Sequence, residues 1–421
     1  MFEKTTLPNG LRVITVPHKG TKTVTVLALI GTGSKYETKK INGLSHFLEH
    51  MFFKGTKGRP SQIEVTEPID AVGGVFNAFT SEDQTGYYIK TDASHVNLNL
   101  DIVSDIFLNS LFVEQEMAKE KTVVIEEIHM RKDTPMIHVW DLWGQHLYGD
   151  QPAGWDIAGT KESVLGLSRR DLLEYVSHQY VAPHTVLVVA GNINAKEVFR
   201  KAGKLFASMP VSGFKEKQRV REVQKKPEAF VEYRKTDQVH IALGVRAFPL
   251  SHSLRYAQEL MALLLGGMMS SRLFVEVREK LGIAYSINTA NETNPDTGSV
   301  TTIAGIKQDS VEIAIKTILK EYKRLTKEII SPRELRKIKD HAIGQSVIAL
   351  ESSDANASFY GMQELLENRI STPEEVYGKI QAVTASDMKR LAQEIFQNNR
   401  LNLVVLGPFK KKEAFQKLLR L

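Results

Sequence analysis

The string His46-Phe47-Leu48-Glu49-His50 has the residue types and spacing most able to do chemistry. On a helix, positions i, i+3 and i+4 share one face, so His46, Glu49 and His50 would project together. Two imidazoles one turn apart can hold one Zn²⁺, and a carboxylate beside them can take a proton from a bound water. H-x-x-E-H is the inverse of the H-E-x-x-H order and carries the same logic. A surface helix with two incidental histidines would give the same string, so a third ligand decides between the readings. A catalytic zinc takes three protein ligands and leaves a fourth position for water.

Residues 120–130 (EKTVVIEEIHM) offer candidates for that third ligand. Glu120 and Glu127 are seven apart, on one helical stripe, amid Val123, Val124, Ile125 and Ile128. Acids embedded in an apolar segment want a partner, which a metal and its surroundings would supply. The alternative is an amphipathic helix with both acids on its exposed face.

The elements that must position these residues follow from periodicity. Gly43 stands near the start of the first helix, and Lys54-Gly55-Thr56 marks its end. Residues 11–29 alternate like one or two strands, and residues 85–90 (TGYYIK) are strand-like. Residues 96–112, 114–131 and 168–179 carry helical periods. The second half repeats the theme, with a strand at 239–245 and helices at 254–265, 311–326 and 332–352. Strands adjoin helical pairs rather than alternating strictly with helices, which favours an α+β fold with mainly antiparallel sheets.

The two halves are themselves related. Ser168-Arg169-Arg170-Asp171 opens a helix, followed by the apolar strand 186–190, Gly191, and a helix with Glu197 and Phe199. Shifted by 216 residues, Thr384-Ala385-Ser386-Asp387 opens a helix, followed by strand 403–406, Gly407, and a helix with Glu413 and Phe415. Both openings have capping-box form with Asp in the acidic position. We read two homologous domains, 1–212 and 227–421, joined by a basic linker at 213–226.

Composition sets the outer bounds. At 421 residues, 42% hydrophobic and 25% charged, the chain is an ordinary globular sequence long enough for two or three domains. It has no cysteine, which excludes disulfide scaffolds, iron–sulfur clusters, cysteine-ligated zinc and a cysteine nucleophile. The net charge of +6 is locally concentrated, with six basic and two acidic residues at 213–226. That run reads as a solvated linker, because no base-reading motif accompanies it, and no nucleic-acid partner is expected. The most apolar run, MALLLGGMM at 261–269, is too short to span a membrane. The N-terminus lacks the long apolar stretch of a signal peptide, so a cytoplasmic location is expected.

With these residues in hand, the chain resembles the pitrilysin family of zinc metallopeptidases over nearly its whole length. The family includes insulin-degrading enzyme, the β-subunit of the mitochondrial processing peptidase, and short bacterial relatives. Residues 7–14 (LPNGLRVI) resemble its first strand, and residues 43–56 (GLSHFLEHMFFKGT) its metal helix. Residues 120–128 (EKTVVIEEI) resemble the helix carrying the third ligand, at a distance from His50 within the family's range. The resemblance implies that His46, His50 and Glu127 bind one Zn²⁺ per chain and that Glu49 is the catalytic base. It makes Glu120 the acid that orients a ligand histidine, with Glu126 the runner-up ligand.

Residues 73–80 (GGVFNAFT) resemble the family's substrate-holding edge strand, implying substrate contact at Asn77, Ala78 and Phe79. Without the resemblance, Asn77 reads as a turn or strand-end residue. Arg278 and Tyr285 resemble the family's arginine–tyrosine pair, which orients substrate and stabilises an oxyanion. On their own they read as a surface charge and a core aromatic. The 216-residue shift carries His46, Glu49 and His50 to Ala262, Leu265 and Gly266, so only the first half is expected to bind metal.

The resemblance therefore implies a zinc endopeptidase acting on peptides or unfolded segments in a chamber between two subunits. A homodimer is expected, with a heterodimer as alternative; Arg278 and Tyr285 of one subunit would then serve the other's zinc. Two other readings stay open: a non-catalytic assembly subunit of this fold, and a dedicated precursor-processing peptidase. A basic presequence would need acidic chamber residues, for which Glu82 and Asp83 are candidates.

Overall fold

The computed structural model describes residues 2–421. Two sheets organise the chain. The first contains β1 (Glu3–Thr6), β2 (Arg12–Pro17), β3 (Thr23–Ile30), β4 (Val75–Thr80), β5 (Thr85–Asp92) and β6 (Thr185–Gly191). Their order is β1-β2-β6-β3-β5-β4. The second contains β7 (Glu228–Tyr233), β8 (Gln238–Arg246), β9 (Ala284–Thr293), β10 (Gly298–Lys307) and β11 (Leu401–Gly407), in the order β7-β11-β8-β10-β9. Each sheet has one parallel pair, β2 with β6 and β7 with β11; the other pairings are antiparallel. The α+β expectation is met.

The internal repeat is visible element by element. Ser168 and Thr384 cap the helices Arg169–Gln179 and Ala385–Ile395, each in a capping box closed by Asp171 or Asp387. The strands that follow, β6 and β11, occupy the same place in their sheets. No helix among the described residues is long and apolar enough to cross a membrane.

Central strands are buried on both faces, which requires two covering layers. On β3, Val24, Val26, Ala28 and Ile30 face one core, which includes Leu44, Phe47 and Leu48 of the helix Leu44–Met51. Leu27 and Leu29 face the other way, onto Ala357 and Tyr360. Those two belong to the helix Ser353–Glu367, far along the chain. The Ser353 hydroxyl hydrogen-bonds Thr23 and Thr25, and Glu364 pairs with Lys4 and Arg12. Gly361 permits the close approach, since a Cβ there would stand 2.5 Å from a Leu29 methyl.

The second sheet shows the reciprocal arrangement. Val239, Ile241, Leu243 and Val245 face their own half's core. Ala242, Ile303, Val404 and Leu406 are covered by Val139, Leu142 and Trp143 of the helix Pro135–Tyr148, which lies in the first half of the sequence.

This corrects the expected division at 1–212 and 227–421. One compact unit gathers residues up to His129 with Trp155–Gln218 and Val347–Thr372; the other gathers Met130–Gly154, Arg219–Ser346 and Pro373–Leu421. Each half lends one helix to the other half's sheet. An amphipathic period says that a helix buries a face, not which sheet receives it.

The segment 213–226 also differs from a solvated linker. Phe214 stacks on His184 with ring centroids 3.3 Å apart, and Lys217 pairs with buried Asp83. Further along, Gln224 bonds the Leu401 carbonyl and Asn402.

Candidate metal centre

The helix Leu44–Met51 begins at Gly43, whose φ is +93°. A Cβ at Gly43 would stand 2.5 Å from the Ala158 carbonyl oxygen, so both conformation and space require glycine. Leu44, Phe47, Leu48 and Met51 are fully buried, which fixes the helix's rotation. His46, Glu49 and His50 then share the remaining face, with Glu49 and His50 half-buried.

The helix Glu114–Asp133 supplies the facing groups. Met117, Val124 and Ile128 bury its apolar stripe. Glu127 Oε2 lies 3.4 Å from His46 Nε2 and 3.5 Å from His50 Nε2. Seven residues earlier, Glu120 Oε2 lies 3.2 Å from His50 Nδ1, and its other oxygen meets Lys54 Nζ at 2.5 Å. Glu126 is exposed and turned to His129, at 3.5 Å. The geometry thus favours Glu127 over Glu126 as third ligand. His46 Nδ1 is buried without a partner.

The electrostatics are those of a site built for a cation. Burial alone would lower the His50 pKa, but hydrogen bonds to Glu120 and Glu127 outweigh it and raise it to about 9. Hydrogen bonds from His46 and His50 hold the Glu127 carboxyl far below the usual carboxylate range, against the effect of burial. For Glu120, burial pulls upward, and His50 and Lys54 overcome it to lower the pKa.

The residues fit zinc. Candidate ligand atoms of His46, His50 and Glu127 all lie within 4.8 Å of one another. Two ligands about 2.0–2.1 Å from a tetrahedral ion stand roughly 3.3–3.4 Å apart. The His46–Glu127 and His50–Glu127 separations of 3.4 and 3.5 Å are close to that spacing. At the equivalent positions of the second half, Ala262 and Leu265 are buried in the core, and a Cβ on Gly266 would collide with Thr289. His46, His50 and Glu127 are the potential metal cluster found among the described residues.

Strand β4 lies at the sheet edge beside this helix, paired on one side only, and Thr80 Oγ1 reaches the Ser45 carbonyl at 3.5 Å. Asn77 is exposed, with its side-chain oxygen accepting the Ala78 N–H at 2.8 Å. Ala78 and Phe79 pack against opposite cores, leaving mainly their backbone to meet a ligand. Arg278 and Tyr285 belong to the other compact unit. The Arg278 guanidinium lies over the Phe274 ring at 4.9 Å, within a π-helical turn, Phe274–Lys280. Tyr285 is 76% exposed on β9, not a core aromatic. Asp83 is buried between Lys35 and Lys217, so it is no free acid for a basic substrate. Lys54, which holds Glu120, escaped sequence reasoning; its place one turn beyond His50 was the available signal.

Fold and site together define a metallopeptidase-type centre carried by two repeated α+β domains. Residues 12–161 match the Insulinase (Peptidase family M16) domain, and residues 166–341 match the Peptidase M16 inactive domain. An uncharacterized zinc protease of Bacillus subtilis is 35% identical, over 94% of this chain and 96% of that protein. Another, from Streptomyces coelicolor, is 32% identical over 98% and 90%. Among solved structures, a protease from Helicobacter pylori superposes with a TM-score of 0.91 at 28% identity, covering 97% of this chain and 99% of that one. The chain belongs to peptidase family M16, whose metal is zinc.

Proposed function

We propose that this protein is a zinc-dependent endopeptidase whose metal is held by His46, His50 and Glu127 and whose general base is Glu49. The observation that carries the reading is the convergence of both Nε2 atoms on one Glu127 oxygen, at 3.4 and 3.5 Å. Bound zinc would supply Lewis acidity, polarising the scissile carbonyl and making water easier to deprotonate. Glu49, on the same helix face as both histidines, accepts the proton of the attacking water and returns it to the leaving amine. Glu120 orients the His50 ring through Nδ1, with Lys54 keeping that carboxylate in place. The open edge of β4 binds an extended substrate segment through its main chain, a mode that tolerates many sequences.

In the finer reading the enzyme works as a homodimer in the cytoplasm, enclosing peptides or unfolded segments in a chamber. Arg278 and Tyr285 of one subunit then stabilise the oxyanion at the other's site. Light scattering showing only monomer at active concentrations would count against this assembly.

The primary test is hydrolysis of a quenched fluorescent peptide library with metal content measured in parallel. One zinc per chain, cleavage abolished by a chelator and restored by Zn²⁺, is the expected result. A chain that binds no metal refutes the site assignment.

A further inference from the structure

Glu37 is a buried carboxylate, 3% exposed, between β3 and the helix Leu44–Met51. None of the ion pairs found among the described residues includes it. Its partners are three N–H groups at the start of the metal helix. Oε2 accepts from the Gly43 backbone at 2.7 Å and from Asn42 Nδ2 at 3.1 Å; Oε1 accepts from the Ser45 backbone at 2.6 Å. Burial pushes Glu37 up to about 7, and the hydrogen bonds from Ser45, Gly43 and Asn42 work against that rise.

A helix leaves its first N–H groups unpaired, and a Ser, Thr, Asp or Asn at the cap position usually satisfies one. Here the cap position is Gly43, which offers no side chain and whose conformation and surroundings admit no Cβ. Glu37 supplies the missing acceptor from six residues upstream. Its negative charge also sits at the positive end of the helix dipole. The next residue along from the bonded Ser45 is His46. The Ser45 hydroxyl is itself tied to Tyr175, at 2.9 Å, and Tyr175 to Thr32, at 2.8 Å.

Burying a carboxylate without a cation is expensive, so a fold that needed only a helix start would have cheaper solutions. The internal repeat shows one. The equivalent helix Arg255–Leu265 starts at Leu254 with no side-chain cap. The fold itself therefore does not require a buried carboxylate at this helix start.

We propose that Glu37 is a positioning residue, capping the metal helix from outside it and fixing the placement in which His46 and His50 meet Glu127 with Glu49 on the same helix face. The effect on turnover rests on the peptidase reading; the effect on metal geometry rests only on metal binding.

The test uses the full chain with Glu37→Gln and Glu37→Asp, each checked for folding by circular dichroism. Zn²⁺ affinity is measured by competition with a chromophoric chelator, and ligand geometry by the visible spectrum of the Co²⁺-loaded protein. For Glu37→Gln we expect Zn²⁺ affinity to fall about 10–100-fold, the size of effect seen when groups supporting metal ligands are lost. The Co²⁺ band should shift, and kcat should fall with KM nearly unchanged. Glu37→Asp, whose shorter carboxylate can reach only some of the donors, should fall between. A folded Glu37→Gln protein with wild-type affinity and Co²⁺ spectrum overturns the proposal, as does failure of both variants to fold, which would make Glu37 a stability element. A wild-type protein that binds no Zn²⁺ overturns the peptidase reading instead.

Discussion

The two halves share one architecture and differ in what they do with the same helix. In the first half, the helix Leu44–Met51 turns two histidines and a glutamate toward a carboxylate-bearing helix. In the second, the equivalent helix Arg255–Leu265 turns Ala262 and Leu265 into the core. Glu127 has Ile343 as its counterpart, and Glu120 has Arg336. The second half thus shows this scaffold without a metal cluster at these positions. The first half's departures at His46, Glu49, His50 and Glu127 are places where polar groups stand where the second half has Ala262, Leu265, Gly266 and Ile343.

The sharpest contrast lies in one pair of equivalent positions. Glu49→Gln should leave zinc content intact and reduce peptide cleavage by about 10²–10⁴-fold, the contribution of a general base. Leu265→Ala, at the matching position, should leave zinc content intact but destabilise the chain by about 2–5 kcal/mol, read by urea denaturation. If Glu49→Gln lowered stability instead and spared cleavage, the functional difference between the helices would collapse.

Glu37 gives the metal helix a pH signature of its own. Folded Glu37 keeps its proton up to about 7, whereas its ordinary value is 4.5. Between those values the folded chain holds more protons than the unfolded one, so this group's contribution to stability falls as pH rises. The stability of metal-free wild type minus that of Glu37→Gln should therefore drop by up to about 3 kcal/mol from pH 4.5 to 7, then level off. A flat difference would mean that the carboxylate is not strained by burial. The smallest effect tests what the halves share. Ser168→Ala and Thr384→Ala remove equivalent caps and should each cost about 1 kcal/mol. Very unequal losses would argue against an equivalent role for the two caps.

Legibility from sequence followed the range of the interactions involved. H-x-x-E-H was readable because one metal needs ligands one turn apart; the seven-residue spacing put Glu120 and Glu127 on one helical stripe, and the family resemblance implied which was the ligand. The repeat was readable because capping boxes and Gly191 or Gly407 sit at fixed local offsets. Glu37 was not, because two of its three partners are the backbone N–H groups of Gly43 and Ser45, which no side-chain motif records. The traded helices were not, because Leu142 or Tyr360 declares an apolar face without naming the sheet it covers. The pinned segment 213–226 was missed because its charge masks Phe214, whose ring does the anchoring.

The helix trade also bears on how the chain is made. About 160 residues of chain separate the end of β6 from Ser353. Synthesis adds roughly 5–20 residues per second, so the first sheet waits on the order of ten seconds for its second cover. Through that interval Ile14, Leu27, Leu29, Val186 and Val188 form a bare apolar strip on the ribosome-bound chain. The nascent first half, rather than the finished protein, is therefore the species most exposed to aggregation.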